Sequence, residues 1–277
     1  ITEQESLEIA RLIKNAGVDA VHVSGYGGSY GVHFTDAPLV NIPGLLVPLA
    51  RSIKEAVNIP VIAVGRIDID LAESILRQGA ADFVAMGRPL LADPELPRKI
   101  AGGDIDDIRK CIYCYTCVHQ IFVRSGVCCA VNPSVGKEHE PAPQPPSKVK
   151  NVIVSGGGPA GMEAARRAAL RGHHVTLYES ENALGGSLLI ASIVRPEKQD
   201  LIDYLTDQLK KLDVTVKLGE RVTPDLVKKI KPDVLVLASG ARRNNPLIPG
   251  IDGKNVFNGD DLRLLLRGKL GNEISTR

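Results

Sequence analysis

An α/β protein with parallel strands, interrupted by a cysteine-rich segment, is the fold class this sequence predicts. Three observations carry the expectation. Short apolar runs alternate with amphipathic helical stretches through the first hundred residues, a pattern that implies parallel strands joined by right-handed crossovers. The stretch CIYCYTCVHQIFVRSGVCCAVNP, Cys111 to Pro133, holds all five cysteines. After a proline-rich run, the sequence from Asn151 reads as strand, glycine-rich turn, helix and strand.

The bulk numbers bound the answer. A chain of 277 residues has room for one large or two ordinary domains. It is 44% hydrophobic and 24% charged, a soluble globular composition. A net charge of +2 points to neither nucleic acid nor an anionic membrane surface. No apolar run approaches the roughly 20 residues that cross a bilayer, and no signal-peptide pattern opens the chain. The first residue is Ile rather than Met, which points to a fragment or a processed product.

Thr2-x-x-Glu5 has the form of a capping box. Ile9, Leu12, Ile13 and Ala16 follow at helical spacing, predicting an amphipathic helix that Gly17 stops. Val18–Ser24 reads as a short buried strand, and a glycine-rich loop, Gly25–Gly31, comes next. Helices around 47–56 and 71–78 lead to strands at 60–64 and 82–86. Asp93-Pro94 supplies the N-cap and first position of a further helix.

Two of these strands end alike, VIAVGR and FVAMGR. Neighbouring parallel strands would bring Gly65-Arg66 and Gly87-Arg88 to one edge. In a (β/α)8 barrel the loops after the last two strands commonly bind phosphate there. Glycine lets the backbone approach, and arginine offers a fork of donors. Singly, each arginine reads as a strand-end surface residue; as a matched pair they read as a phosphate site. Only three clear strands precede the cysteines, whereas such a barrel needs about eight, so the expectation is its C-terminal part.

Cys111, Cys114 and Cys117 recur at every third position, and Cys128-Cys129 closes the run. A tight Cys-x2-Cys-x2-Cys loop with a distant fourth thiolate suits one cubane iron–sulfur cluster. Structural zinc, which more often uses two separated knuckles, and disulfides or free thiols are the weaker readings. Neighbouring side chains in extended backbone point to opposite sides, so only one of Cys128 and Cys129 can readily be the fourth ligand. With the cysteines as cluster ligands, a cytoplasmic location is expected.

Lys137–Lys150 carries four prolines and reads as a semi-rigid linker. Beyond it Gly156, Gly158 and Gly161 form G-x-G-x-x-G between a strand and a helix, and Pro159 and Ala160 open that helix. Gly156 makes the turn, Gly158 admits a pyrophosphate, and Gly161 lets helix pack on strand. The helix N-terminus offers amide donors, and Glu179, ending the next strand, can accept from a ribose hydroxyl. A glycine turn with a structural role alone is the bland alternative. Gly185-Gly186 adds a second glycine pair, more typical of a flavin dinucleotide site. Asp233–Gly240 reads as a buried strand ending in a small-residue turn.

The order of two Gly-Arg strand ends, a cysteine cluster and this fingerprint resembles the multidomain flavin and iron–sulfur oxidoreductases. That family includes 2,4-dienoyl-CoA reductase, 2-enoate reductase and trimethylamine dehydrogenase, with a barrel of the old yellow enzyme type. The likeness covers essentially the whole chain through VIAVGRID, FVAMGRPLLADPELP, CIYC…CAVNP and VSGGGPAGMEAA…E. It implies FMN near Gly65, Arg66, Gly87 and Arg88. It implies a 4Fe-4S cluster on Cys111, Cys114, Cys117 and Cys129, the last heading the Cys-x-x-Asn-Pro turn that resembles the family's closing motif. It implies FAD on the Gly156 region. The implied domains are residues 1–106, the C-terminal part of the FMN barrel; 107–137, the cluster segment; 138–150, the linker; and 151–277, an incomplete Rossmann-like FAD-binding domain.

Two departures bear on function. The reductases usually place three residues between the second and third cysteines; here Tyr115 and Thr116 make two, a spacing closer to the amine dehydrogenases. The chain also stops where the family inserts a nicotinamide-binding domain. The first expectation is an NAD(P)H-dependent enzyme passing electrons through FAD, the cluster and FMN to an enoate or enoyl-CoA. An amine dehydrogenase feeding an electron-transfer protein, and a non-catalytic electron-transfer module, are the alternatives. The expected partners are the small-molecule substrate and a nicotinamide nucleotide, with no nucleic acid or membrane and with homo-oligomerisation left open. His33, with Tyr26 and Tyr30 in the glycine-rich loop, is the candidate proton relay, because imidazole titrates near neutral pH.

Overall fold

The computed structural model describes residues 2–25, 42–140, 144–241, 247–251, 253 and 255–266. Tyr26, Tyr30 and His33 lie outside the described residues. The chain divides into two compact units, residues 1–96 with 114–130 and residues 97–113 with 131–277.

In the first unit, α1 (Glu3–Asn15) starts on the expected capping box. Thr2 Oγ1 accepts from the Glu5 amide (3.2 Å), and Glu5 Oε2 accepts from the Thr2 amide (2.6 Å). Then come β1 (Val21–Val23), α2 (Val47–Val57), β2 (Val61–Val64), α3 (Ile69–Arg77), β3 (Phe83–Ala85) and α4 (Arg88–Ala92). The strands form one parallel sheet in the order β1-β2-β3, with Val21 beside Val61 and Val64 beside Ala85. Asp68 caps α3 by accepting from the Leu71 amide at 2.8 Å. Val21, Val23, Val61 and Ala63 turn one sheet face onto Ala50, Ile53, Val57 and Ile75. The opposite face carries His22, and Phe83 is 58% exposed.

Two expectations need correction here. The strand after Gly17 is three residues long and buried on one face only. The apolar stripe of α1 also faces outward, with Leu12 67% exposed. The helix instead packs through Ala10 and Leu7. Periodicity identifies an apolar face, but Ala10 and Leu7 define a second one, and it is that face that meets the sheet-covering helices.

Asp93 Oδ1 accepts from the Glu95 amide (3.1 Å), but Pro94 is not the first helical residue as expected: 94–95 form a turn, and α5 (Leu96–Gly102) begins after it. In the cysteine segment a short helix, α6 (Thr116–Phe122), carries Cys117.

The second unit holds β4 (Asn151–Ser155), α7 (Pro159–Leu170), β5 (His174–Glu179), α8 (Ser187–Val194), α9 (Gln199–Lys211), β6 (Thr215–Leu218), α10 (Pro224–Ile230), β7 (Val234–Leu237) and α11 (Gly259–Leu266). All four strands are parallel, in the order β6-β5-β4-β7. The order reverses beside β4, since β5 lies on one side of it and β7 on the other. Ligands of open α/β sheets bind in the crevice at such a switch point. Val152, Val154, Val175 and Leu177 are buried, with Met162 and Ala165 of α7 and Leu201, Leu205 and Leu209 of α9. The strand expected to be buried at 233–240 is an edge strand. Among the described residues it pairs with β4 alone, and Leu237 is 74% exposed.

A polar network runs through this unit. Buried Arg109 donates to Asn132 Oδ1 (3.2 Å) and to Tyr204 Oη (3.1 Å). On α7, Glu163 takes two bonds from Arg166 (2.8 and 3.0 Å) and one from Arg167 (3.2 Å). Burial pushes the Glu163 carboxyl up, but the two arginines outweigh it and hold the group below its ordinary value. A depressed carboxyl stabilises the fold above its unfolded value, about 4.3, and that contribution is lost as pH falls through the folded value. Glu163→Ala leaves the largely buried Arg166 without its counter-charge. A loss of about 3 kcal/mol in urea unfolding at neutral pH is expected, shrinking as the pH drops below about 4.

Among the described residues no helix is long and apolar enough to cross a membrane.

Candidate functional site: two strand ends, a thiol segment and a glycine cradle

The β2–β3 register brings both Gly-Arg pairs to the C-terminal edge of one sheet. Gly65 has φ +117° and Arg66 follows at φ +47°. Gly65 takes that conformation freely, but a left-handed arginine costs on the order of 1 kcal/mol or more, and such outliers gather at functional sites. Arg88 is not in a loop: Gly87 is the N-cap and Arg88 the first residue of α4. Its guanidinium lies over the Tyr115 ring, 5.0 Å from the centroid. A phosphate fits this edge chemically, since two fork donors and two glycines stand at neighbouring strand ends.

In the thiol segment, burial pushes the Cys117 thiol above its ordinary value. The neighbouring Cys129 and Cys114 push it further up, while the Val118 amide and Arg88 pull it down. Cys114 Sγ lies 3.3 Å from Thr116 Oγ1, and the Tyr113 amide donates to Cys111 Sγ at 3.4 Å. Tyr113 and Tyr115 both stand at positive φ, +46° and +60°, so the loop turns sharply at each tyrosine. Among the described residues no three His, Cys, Asp or Glu side chains form a site for a single metal ion. A polynuclear cluster asks for more widely spaced thiolates than one ion does, and an all-thiol donor set suits iron–sulfur chemistry.

In the second unit, the glycine turn sits at the end of β4, at the switch point. A Cβ on Gly156 would lie 2.3 Å from the Ala238 carbonyl oxygen, and one on Gly161 would lie 1.9 Å from the Gly156 oxygen. Both positions are closed to any side chain. Gly158 is different: a Cβ there meets no atom of the described residues within 4 Å. The space a pyrophosphate needs is therefore open on that side, beside the first amides of α7, where Pro159 occupies an N-terminal position that needs no N–H. The second glycine pair packs onto the first. The Gly185 amide donates to the Gly157 oxygen (2.8 Å), and a Cβ on Gly186 would lie 3.1 Å from Gly158 Cα.

Glu179 ends β5 as expected, but it is buried and has protein partners. Oε2 accepts from the Gly157 amide (2.6 Å), and Oε1 accepts from Ser180 Oγ (3.1 Å) and the Glu181 amide (2.9 Å). A carboxylate has about four acceptor positions, so one remains for a ribose hydroxyl. Glu179 thus fixes the glycine turn as well. A cavity of about 440 Å³ elsewhere in this unit is lined by Arg98, Lys99, Arg109, Arg166 and Lys211. Its charges are largely matched within the fold, Arg166 by Glu163 and Lys211 by Asp107, and it stands apart from the glycine turn.

Sequence reasoning missed three contributors. Gly157 and Ala238 complete the cradle; the run of three glycines and the small-residue turn were their only signals. Tyr115 was read as spacing between cysteines.

Comparison with known proteins agrees with this anatomy. Residues 48–107 match the NADH:flavin oxidoreductase / NADH oxidase family, and residues 150–272 match the pyridine nucleotide-disulphide oxidoreductase family. An NADH oxidase of Thermoanaerobacter brockii is 41% identical over 92% of this chain and 40% of its own length. A cinnamate reductase of Clostridium sporogenes is 34% identical over 98% of this chain and 41% of its own. The solved structure of a 2-naphthoyl-CoA reductase in complex with 2-naphthoyl-CoA superposes with a TM-score of 0.87 at 35% identity, covering 98% of this chain and 41% of that one. The chain spans about two fifths of the length of these relatives. With an FMN-oxidoreductase sheet followed by a pyridine-nucleotide-type glycine cradle, it belongs to the NADH:flavin oxidoreductase / NADH oxidase family of flavin oxidoreductases.

Proposed function

We propose that this chain is the part of a flavin and iron–sulfur oxidoreductase in which electrons from NAD(P)H pass through FAD and a 4Fe-4S cluster to FMN, and then to the double bond of an enoate or enoyl-CoA. The chemistry of electron and hydride transfer belongs to the cofactors; the protein positions and tunes them. Arg66 and Arg88, with Gly65 and Gly87, hold the FMN phosphate. Cys111, Cys114, Cys117 and Cys129 hold the cluster. The Gly156–Gly161 turn, with the amides of Ala160 and Gly161 behind Pro159 and the packing of Gly185-Gly186, holds the FAD pyrophosphate, and Glu179 steadies that turn and faces the ribose.

The observation that carries this reading is the order of three sites in one chain: a phosphate edge, a thiol segment of which Cys114, Cys117 and Cys129 share its unit, and a cradle open at Gly158. The cinnamate and 2-naphthoyl-CoA reductases, whose names specify unsaturated acyl substrates, support the reductase direction. The test is anaerobic purification of the protein that contains this chain, followed by cofactor release. FMN, FAD and about four irons per chain are expected. Arg66→Ala should lower FMN content while FAD and iron stay at the wild-type level. Normal FMN occupancy in that variant would remove Arg66 from the phosphate site.

A further inference from the structure

The Tyr115 hydroxyl is buried and has no hydrogen-bond partner among the described residues. A buried hydroxyl without a partner loses its water and gains nothing, which is costly unless a ligand completes it. The backbone at Tyr115 is also left-handed, at φ +60°, a region a bulky aromatic enters only under constraint. What holds the ring is the Arg88 guanidinium stacked over it. Arg88 begins α4 directly after β3, so the same guanidinium stands at the strand-end edge where Gly65-Arg66 also emerges. An acceptor for this hydroxyl is favoured when it is anionic, because it sits beside the fixed positive charge of Arg88.

We propose that Tyr115, a residue of the cysteine segment, is a further FMN-binding residue. Its hydroxyl donates to the flavin phosphate next to Arg88, so the segment that carries Cys114 and, on α6, Cys117 is tied to the FMN phosphate. This rests on the FMN site proposed above and adds a residue from outside the barrel strands. It also gives Arg88 two tasks, binding the anion with its edge and holding the tyrosine with its face.

The test separates the two readings. Wild-type holoprotein is stripped of FMN and titrated with FMN; tight rebinding supports the FMN site itself, and failure to rebind overturns that reading and this one together. Tyr115→Phe removes only the hydroxyl. With FMN absent, its urea midpoint should equal or exceed that of wild type, because an unsatisfied buried donor is gone. Its FMN dissociation constant should nevertheless rise about tenfold to a hundredfold, the effect of losing a hydrogen bond to a charged group. Iron content should not change. A merely structural tyrosine would instead lower stability and leave FMN affinity alone. An unchanged FMN dissociation constant overturns the proposal, including the case where only the spectrum of the cluster shifts, which would assign the hydroxyl to the cluster. Arg88→Lys keeps the charge but loses the planar stack; in that background the Tyr115→Phe effect on FMN affinity should fall well below its wild-type size, and an undiminished effect would contradict the coupling.

Discussion

Cys129→Ser is expected to abolish the visible absorbance and iron of the cluster, whereas Cys128→Ala should keep about four irons per chain. The two residues are neighbours in sequence, yet the expected outcomes are all and nothing. Adjacent side chains of an extended backbone point apart, so one ligand position cannot readily be served by both. Cys129 heads the Cys-x-x-Asn-Pro turn, and it lies close enough to Cys117 for its charge to raise that thiol. Asn132 and Pro133 then bias the chain away from helix, and Asn132 is held by buried Arg109. On this reading Cys128, which is partly buried, would be a small apolar residue, a common role for a free cysteine. Iron analysis and the visible spectrum of the two purified variants decide the matter. Loss of iron in Cys128→Ala with retention in Cys129→Ser would assign the ligand to Cys128.

Gly158→Val is the second large effect. At Gly156 or Gly161 a side chain would strike backbone within 2.3 Å, and the fold itself would fail. A Cβ on Gly158 would meet no atom of the described residues within 4 Å, so the apoprotein should fold normally. What the valine fills is the space of the pyrophosphate. Overpacking a site costs about 1–3 kcal/mol, and displaced phosphate oxygens also lose the α7 amides. FAD affinity should therefore fall by about a hundredfold or more, with iron and FMN content unchanged. Nucleotide released by acid from wild type and variant reads this directly. Full FAD occupancy in the variant would place the dinucleotide elsewhere.

Local chemistry made much of this legible in the sequence. The Thr2–Glu5 box, the Gly156–Gly161 fingerprint and the acidic end of β5 depend on residues within a few positions of one another, and each forms as read. What was not legible depends on partners far along the chain. Ile9, Leu12 and Ile13 announce an apolar face, but only tertiary packing decides that Leu7 and Ala10 turn inward. The apolar run at 234–237 looks buried, yet its position at the sheet edge leaves Leu237 open. Glu179 could be placed at a strand end, but its bond to the Gly157 amide requires the turn to fold back over it. Tyr115 gave no signal, because cysteine spacing draws the eye to the thiols and its partner Arg88 belongs to another element.

In the proposed function one electron path joins nicotinamide nucleotide to an unsaturated acyl substrate. The most direct measurement is anaerobic mixing of the complete holoprotein with NADH or NADPH, followed by an enoate or enoyl-CoA panel, with flavin and cluster absorbance recorded throughout. Bleaching of both chromophores by the nucleotide, and their return on adding an enoyl substrate with formation of the saturated product, is the predicted result. Chromophores that NADH and NADPH leave oxidised but an amine reduces would contradict it and reverse the direction of flow.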